Sequence, residues 1–266
     1  MVRVAIVTGA ARGIGAATIR RLAADGWAVV AVDRCADDPA IPYRLATEAE
    51  LELAVQQARA VAPDASLIKT VIADARDGGA LAAAICEAEV AWGGLDAAIA
   101  VAGIVAGGVP LWEMPAEQVR AVLDIDLAAV ITLAQVAVPA LLRRPEPRMG
   151  RFVAVSSTAA THGLASLAVY CAAKAGVEGL VRGLAAELQG TGITANSVRP
   201  GSTATAILDE SARLYSLPSA DVFAAHQHIR RLLDPDEIAA ALLWVVGPES
   251  SGMTGATLPI DGGFVG

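Results

Sequence analysis

Apolar runs of strand length alternate with longer helical patterns along this whole chain, and that alternation restricts the fold more than any other feature. Residues 3–7, 27–32, 66–73, 97–102, 150–156, 193–198 and 256–260 read as strands. Most are near-continuous apolar runs, as expected of strands buried on both faces. Helical patterns lie between them at 16–25, 51–61, 79–92, 115–142, 170–189 and 236–246, with Gly26 as a stop for the first. This order predicts an α/β fold: one doubly wound domain over 1–266, with a central parallel sheet of about seven strands and helices on both faces. A chain of 266 residues, 55% of them hydrophobic, has the length and the apolar content for such a core. Two segments break the rhythm. Residues 35–50 carry Pro39 and Pro42 after the second strand, and 202–231 form a long stretch before the last helix.

The net charge of −8 argues against a nucleic-acid or anionic-membrane surface. No run of 18 or more apolar residues is free of charge, Gly and Pro in the manner of a membrane span. The first strand starts at Arg3, so the expectation is that no signal peptide precedes it. Cys35, Cys86 and Cys171 are odd in number, far apart and not at metal-ligand spacing with the three His residues. That predicts a reducing, cytoplasmic setting with no disulfide framework and no metal.

The first strand runs into Thr8-Gly9-Ala10-Ala11-Arg12-Gly13-Ile14-Gly15, which opens a helix. Glycines there permit a tight turn and close approach of a ligand to the backbone. The helix N-terminus then offers unpaired N–H groups to a pyrophosphate. The glycine spacing differs from the commoner GxGxxG fingerprint. Eighteen positions past Gly15, Asp33 ends the second strand. An acid there accepts hydrogen bonds from adenosine ribose hydroxyls and repels a 2′-phosphate, which favours NAD over NADP. Arg12 and Arg34 complicate that reading, because an arginine beside this position can hold a 2′-phosphate.

Tyr170 and Lys174 stand four apart on one face of a predicted helix. A phenol has a pKa of about 10, and a fixed cation beside it lowers that value. The pair is therefore a candidate general acid/base for alcohol and carbonyl chemistry.

Taken in order, these motifs resemble the short-chain dehydrogenase/reductase family over essentially the full chain, with its Rossmann-type fold. Thr8-Gly9-x3-Gly13-x-Gly15 is similar to its cofactor signature, and Asp74-Ala75 falls where the family contacts adenine. Ala102-Gly103 matches the end of its Asn-Asn-Ala-Gly motif. Pro200-Gly201, with Thr203 and Thr205, matches the loop that grips the nicotinamide end. Ser157, thirteen residues before Tyr170, matches its catalytic serine, with Ser156 as the alternative hydroxyl. The resemblance implies that Tyr170 moves the hydroxyl proton, and that Ser157 stabilises charge on the substrate oxygen. It also implies that Lys174 lowers the Tyr170 pKa and binds the nicotinamide ribose. Gly9, Arg12, Gly13, Ile14, Gly15, Asp33 and Arg34 complete the expected cofactor contacts. A homotetramer, with a dimer second, is implied as well, and widespread apolar and small residues on 115–142 and 170–189 fit subunit packing.

Two positions depart from the family pattern. Asp126 stands where the family has an active-site asparagine, and it either pairs with Lys174 or makes the proton relay more pH-dependent. Val101 replaces an asparagine whose hydrogen bond ties central strands.

From Asp33 to Asp74 is 74 − 33 = 41 positions, a long span for this connection. The insert 35–46, with Arg231-Leu232-Leu233-Asp234-Pro235 and the Asp261-Gly262-Gly263 ending, resembles the mycofactocin-coupled branch. In that branch the insert covers a nicotinamide cofactor that does not exchange freely, and electrons leave through mycofactocin. Ile41, Tyr43 and Leu45 give the insert apolar surface to lay over a ligand.

The substrate pocket is expected from 103–112, 158–164 and a mobile 202–231. These contribute apolar residues such as Ile104, Val105, Val109, Leu111, Trp112, Leu164, Ile207, Leu208, Leu214, Tyr215 and Phe223. They predict a hydrophobic secondary alcohol or its ketone. His162, His226 and His228 are further candidates to touch it. The alternatives are an ordinary carbonyl reductase with exchangeable NAD(P)H and a nucleotide-sensing protein without catalysis.

Overall fold

The computed structural model describes residues 2–265. Seven strands join one sheet: β1 (Val4–Thr8), β2 (Ala28–Asp33), β3 (Ile68–Ile72), β4 (Ala97–Ala100), β5 (Arg151–Val155), β6 (Thr194–Pro200) and β7 (Thr257–Ile260). Their order is β3-β2-β1-β4-β5-β6-β7, and every pairing is parallel. The order reverses between β1 and β4, which opens a crevice at their carboxyl ends. All residues of β1, β4 and β5 are buried, as near-continuous apolar runs require.

Helices cover both faces. On one, α1 (Gly13–Ala24), α2 (Glu48–Val61) and α8 (Pro235–Val246) pack in a core with Trp27, Leu51 and Leu242. On the other lie α3 (Gly78–Trp92), α5 (Ala129–Arg143) and α6 (Ala168–Glu187), around Leu81, Leu133 and Phe152, with α4 (Ala116–Leu123) packed against α6. The first helix starts at Gly13, three residues before the apolar pattern does, so its glycines lie in the first helical turn. The second begins at Glu48 because Thr47 and Glu50 form a reciprocal capping box.

The predicted helix 115–142 is interrupted by one π turn, Asp124–Ala128, between α4 and α5. Such a turn inserts an extra residue and re-aims side chains, here that of Asp126. The whole run Ala116–Arg143 is long and apolar enough to cross a membrane by length and composition alone, although Asp124, Asp126 and Pro139 interrupt it. Its inner face, with Val130, Leu133, Ala137 and Leu141, packs on the sheet. The stretch 202–231, expected as a mobile loop, contains α7 (Ala206–Leu214) and a 3-10 turn, Ala220–His226. Buried Gln227 ties it down by donating to the Ser202 and Arg231 carbonyls.

Candidate active site

A cavity of about 1240 Å³ opens at the carboxyl ends of β1, β2, β4, β5 and β6. It exceeds the roughly 300–1,000 Å³ of sites for drug-sized ligands, so a dinucleotide and a substrate fit together. Every residue expected to contact the cofactor lies on its wall: Gly9, Arg12, Gly13, Ile14, Gly15, Asp33, Arg34, Asp74, Ala75, Ala102, Gly103, Pro200, Gly201, Thr203 and Thr205, with Tyr170 and Lys174. Ser157 is there too, whereas Asp126 is not.

The floor of the cleft is a backbone cradle. Gly9 has φ +72°, and a Cβ on it would sit 2.6 Å from the Ala102 nitrogen. A Cβ on Gly15 would sit 1.8 Å from the Gly9 carbonyl oxygen. The helix can begin against the strand turn only without those side chains, and its first N–H groups then face the cleft. Asp33 accepts hydrogen bonds from the Ala11 N–H (3.0 Å) and the Cys35 N–H (3.2 Å), which fixes its carboxylate at the rim. These features fit a dinucleotide with its pyrophosphate on the α1 N-terminus and its adenosine ribose at Asp33.

Helix α6 presents Tyr170 and Lys174 to the middle of the cleft, both buried, with the ammonium 5.6 Å from the phenol ring centre. Ser157 caps a 3-10 turn after β5 and accepts from the Ala159 N–H at 3.2 Å. Ser156 also lines the cavity, but its hydroxyl donates to Glu178 Oε1 at 2.9 Å, and Glu178 is held by Arg199. The alternative hydroxyl is therefore part of a buried structural network.

The electrostatics correct one expectation. Burial pushes the Tyr170 phenol above its ordinary value; Lys174 and the Ser157 hydroxyl oppose this, while Asp126 adds to it. Lys174 does work in the lowering direction, but burial outweighs it. Asp126 is fully buried behind the pair, where Oδ1 lies 3.2 Å from Lys174 Nζ and accepts from the Ile104 N–H at 3.1 Å. Its Oδ2 has no partner. Burial raises the Asp126 carboxyl. For Lys174, burial works against the charge, yet Asp126 and then Tyr170 hold its pKa above the usual lysine value. Asp126 makes the expected ion pair with Lys174, and its charge also acts on Tyr170. A phenol with a hydroxyl and an ammonium beside it on a cleft wall can pass a proton to and from a ligand oxygen. At Val101 the N–H donates to Thr8 Oγ1 at 3.3 Å, so the ends of β1 and β4 are tied by a backbone N–H on the Thr8 side-chain hydroxyl.

The insert crosses the mouth of the cleft differently from expectation. Ile41 and Tyr43 do not face the cavity; they pack with Ile104, Val105 and Ala106 after β4. The Val105 N–H donates to the Tyr43 hydroxyl oxygen at 3.0 Å. Leu45 and Ala46 do line the cavity, and Arg12 donates weakly to the Arg44 carbonyl. The far end of the cavity is apolar, with Leu164, Ile207, Tyr215 and Phe223 as expected. Val105, Val109, Leu111, Trp112 and Leu214 do not line it, and Leu111 and Trp112 are exposed. Leu217, from the expected 202–231 stretch, lines it as well, together with Leu167, Leu232 and Phe264, which lie outside the expected segments. Phe264 comes from the last residues and meets His162 and His226 edge-on, at centroid distances of 5.1 and 6.2 Å. Of the histidines only His226 reaches the wall. Among the described residues no group of three or more His, Cys, Asp or Glu is placed to hold a metal ion.

A doubly wound sheet with a glycine cradle at its switch point, and a Tyr-Lys pair beside a serine, defines an oxidoreductase of the alcohol–carbonyl couple. The chain belongs to the short-chain dehydrogenase/reductase family: residues 9–265 match the profile described as enoyl-(acyl carrier protein) reductase. It is 37% identical to cis-4-hydroxycyclohexanecarboxylate dehydrogenase of Sinomonas cyclohexanicum, over 98% of this chain and 96% of that one. It is 33% identical to (−)-trans-carveol dehydrogenase of Rhodococcus erythropolis, over 98% and 96%. Among solved structures, carveol dehydrogenase from Mycobacterium avium in complex with NAD superposes with a TM-score of 0.91, at 30% identity, over 98% and 96% of the two chains.

Proposed function

We propose that this protein is an NAD-dependent dehydrogenase of a hydrophobic secondary alcohol, holding its NAD tightly and passing the electrons to mycofactocin. The observation that carries the redox reading is the meeting of Ser157, Tyr170 and Lys174 on one cleft wall beside the Gly9–Gly15 cradle. NAD, when bound, supplies the hydride-accepting nicotinamide carbon. Tyr170 takes the proton from the substrate hydroxyl, or returns it in reduction. Ser157 donates to the same oxygen and stabilises the charge that develops there. Lys174 keeps a positive charge beside the phenol, and Asp126 behind it positions and partly neutralises that charge. Asp33 binds the adenosine ribose, and Asp74 with Ala75 borders the adenine.

The apolar far wall supports a terpenoid-like or other hydrophobic alcohol. Its relatives named for carveol and for a hydroxycyclohexane carboxylate oxidise ring alcohols by their names. The insert, anchored at Tyr43 and lining the cavity at Leu45, supports retention of the cofactor. We further propose a cytoplasmic homotetramer. Gly183 on α6 has open space where a Cβ would point, and Gly179 meets only an arginine tip, so a partner helix can approach that face closely.

Mass spectrometry of small molecules freed by denaturing the purified protein tests the reading. NAD is expected at near-stoichiometric amount, with turnover supported by an artificial dye acceptor and not by added free NAD. Protein emptied by dialysis and fully active with free NAD would point instead to an ordinary reductase with exchangeable cofactor.

A further inference from the structure

Arg34 stands at the adenosine end of the cleft, where a fold of this kind would place the cations that grip a 2′-phosphate, and Arg76 shares its carboxylate partners. Both are already engaged. Arg34 lines the cavity, and its guanidinium lies 2.8 Å from Asp38 Oδ2 and 3.4 Å from Asp74 Oδ2. It also donates to the Asp37 carbonyl at 3.1 Å. Arg76 holds Asp74 by two contacts of 3.0 and 2.7 Å and reaches Asp38 Oδ2 at 3.3 Å. Two guanidiniums and two carboxylates thus close into a quartet of zero net charge.

Asp38 belongs to the insert and is only 7% exposed. Its other oxygen accepts from the Ala40 N–H at 3.1 Å. Burial works against its charge, but the Arg34 hydrogen bond, the Ala40 N–H and the two guanidinium charges hold its carboxyl below the usual range. It is therefore ionised at neutral pH. We propose that Asp38 is a determinant of cofactor specificity, acting by keeping Arg34 and Arg76 neutralised so that neither is free to take a 2′-phosphate. This rests on the NAD reading above and adds a second barrier to it. Asp33 repels the phosphate directly. Asp38 withholds the cations that would offset that repulsion.

The two barriers are coupled, and the coupling is the signature. Removing the Asp33 charge alone leaves the quartet closed. Removing the Asp38 charge alone leaves Arg34 and Arg76 sharing the single carboxylate of Asp74, with one positive charge unmatched, but leaves Asp33 facing the phosphate. Only the double change presents that unmatched charge without the Asp33 carboxylate. Asn is the substitution of choice at both positions, because its oxygen still accepts the N–H bonds of Ala11 or Cys35 and of Ala40.

The test uses charcoal-stripped wild type, Asp33→Asn, Asp38→Asn and the double variant. Each is equilibrated with equal concentrations of NAD and NADP, freed of unbound nucleotide and denatured, and the released nucleotides are quantified by mass spectrometry. Each single change is expected to shift the bound NADP-to-NAD ratio by roughly threefold. The double change should exceed the product of the two by about tenfold, a coupling of about 1.4 kcal/mol. Adding Arg34→Gln to the double variant should return most of that gain, which separates a freed cation from a loosened loop. A full gain from Asp33→Asn alone would assign the phosphate to Arg12, which also lines the cavity, and would overturn the role of Asp38. A double variant no better than the product of the singles would overturn it equally. Wild type that binds NADP over NAD would bring down the NAD reading itself, and this one with it.

Discussion

Replacing Asp126 by Asn separates charge from shape at the centre of the site. The amide oxygen can still accept the Ile104 N–H that Oδ1 takes at 3.1 Å, so the π turn keeps its anchor. What goes is the negative charge 3.2 Å from Lys174 Nζ. At an effective dielectric of about 20, a pair at that distance attracts by about 5 kcal/mol before desolvation is counted. Two consequences follow for titration. Lys174 loses the partner that holds its pKa above the usual value. Tyr170, raised by burial with Asp126 adding to that, loses the repulsion while the Lys174 charge beside it stands unopposed. The phenol pKa should fall. Alcohol oxidation needs the phenolate, so its rate rises with pH through that pKa, and the rising limb of Asp126→Asn should move toward acid. Initial rates with a dye acceptor from about pH 6 to about pH 10 read this directly. A limb that stays in place, or moves toward alkali, would refute the electrostatic account. Stability gives a second reading. Because the folded-state pKa of Lys174 is raised, the ion pair's alkaline limit lies above the free lysine value of about 10.4 and its contribution is lost as pH rises through the folded value; on the acid side it is lost as the Asp126 carboxyl, raised by burial, takes up a proton. Wild type should therefore lose stability more steeply in alkali than Asp126→Asn. Asp126→Ala, which also orphans the Ile104 N–H, should cost about 3–5 kcal/mol in chemical denaturation at neutral pH.

Other variants address the remaining parts of the site. Tyr170→Phe should lower dye-coupled alcohol oxidation by about 10²–10⁴-fold while mass spectrometry still finds the bound nucleotide; an unchanged rate would remove Tyr170 from proton transfer. Tyr43→Phe leaves the Val105 N–H without its acceptor, a cost of about 1–3 kcal/mol to the closed insert. Nucleotide release, followed by exchange with labelled NAD, should quicken by roughly five- to a hundredfold, and equal rates would mean the insert does not hold the cofactor. Gly15→Ala places a Cβ 1.8 Å from the Gly9 carbonyl oxygen, so the cradle must open. It should abolish nucleotide binding in a thermal-shift titration, and preserved binding would disprove that the cradle holds the pyrophosphate.

The strand set and the helices were legible because burial on both faces writes an unbroken apolar run, as in Val4–Thr8 and Ala28–Asp33. The cofactor wall was legible because its parts are short motifs fixed to strand ends, so their order along the chain gives their place around the cleft. The π turn was not legible: the apolar pattern runs through 124–128 without a break, and its extra residue is set by packing against α6. Phe264 was missed because nothing in a terminal Gly262-Gly263-Phe264 says which loop it will meet. Ile41 and Tyr43 were read correctly as apolar contacts and assigned to the wrong neighbour, since composition carries no direction.

Sequence by itself therefore determined the sheet, the cradle and the Tyr170–Lys174 pair, all of which depend on residues close together in the chain. Tertiary structure alone decided which charges meet: Asp126 with Lys174, and Asp38 and Asp74 with Arg34 and Arg76. The physical reason is range. Periodicity and turn chemistry act within a few residues, whereas the pKa of a buried group follows from desolvation and from charges a few ångströms away, brought there by distant segments.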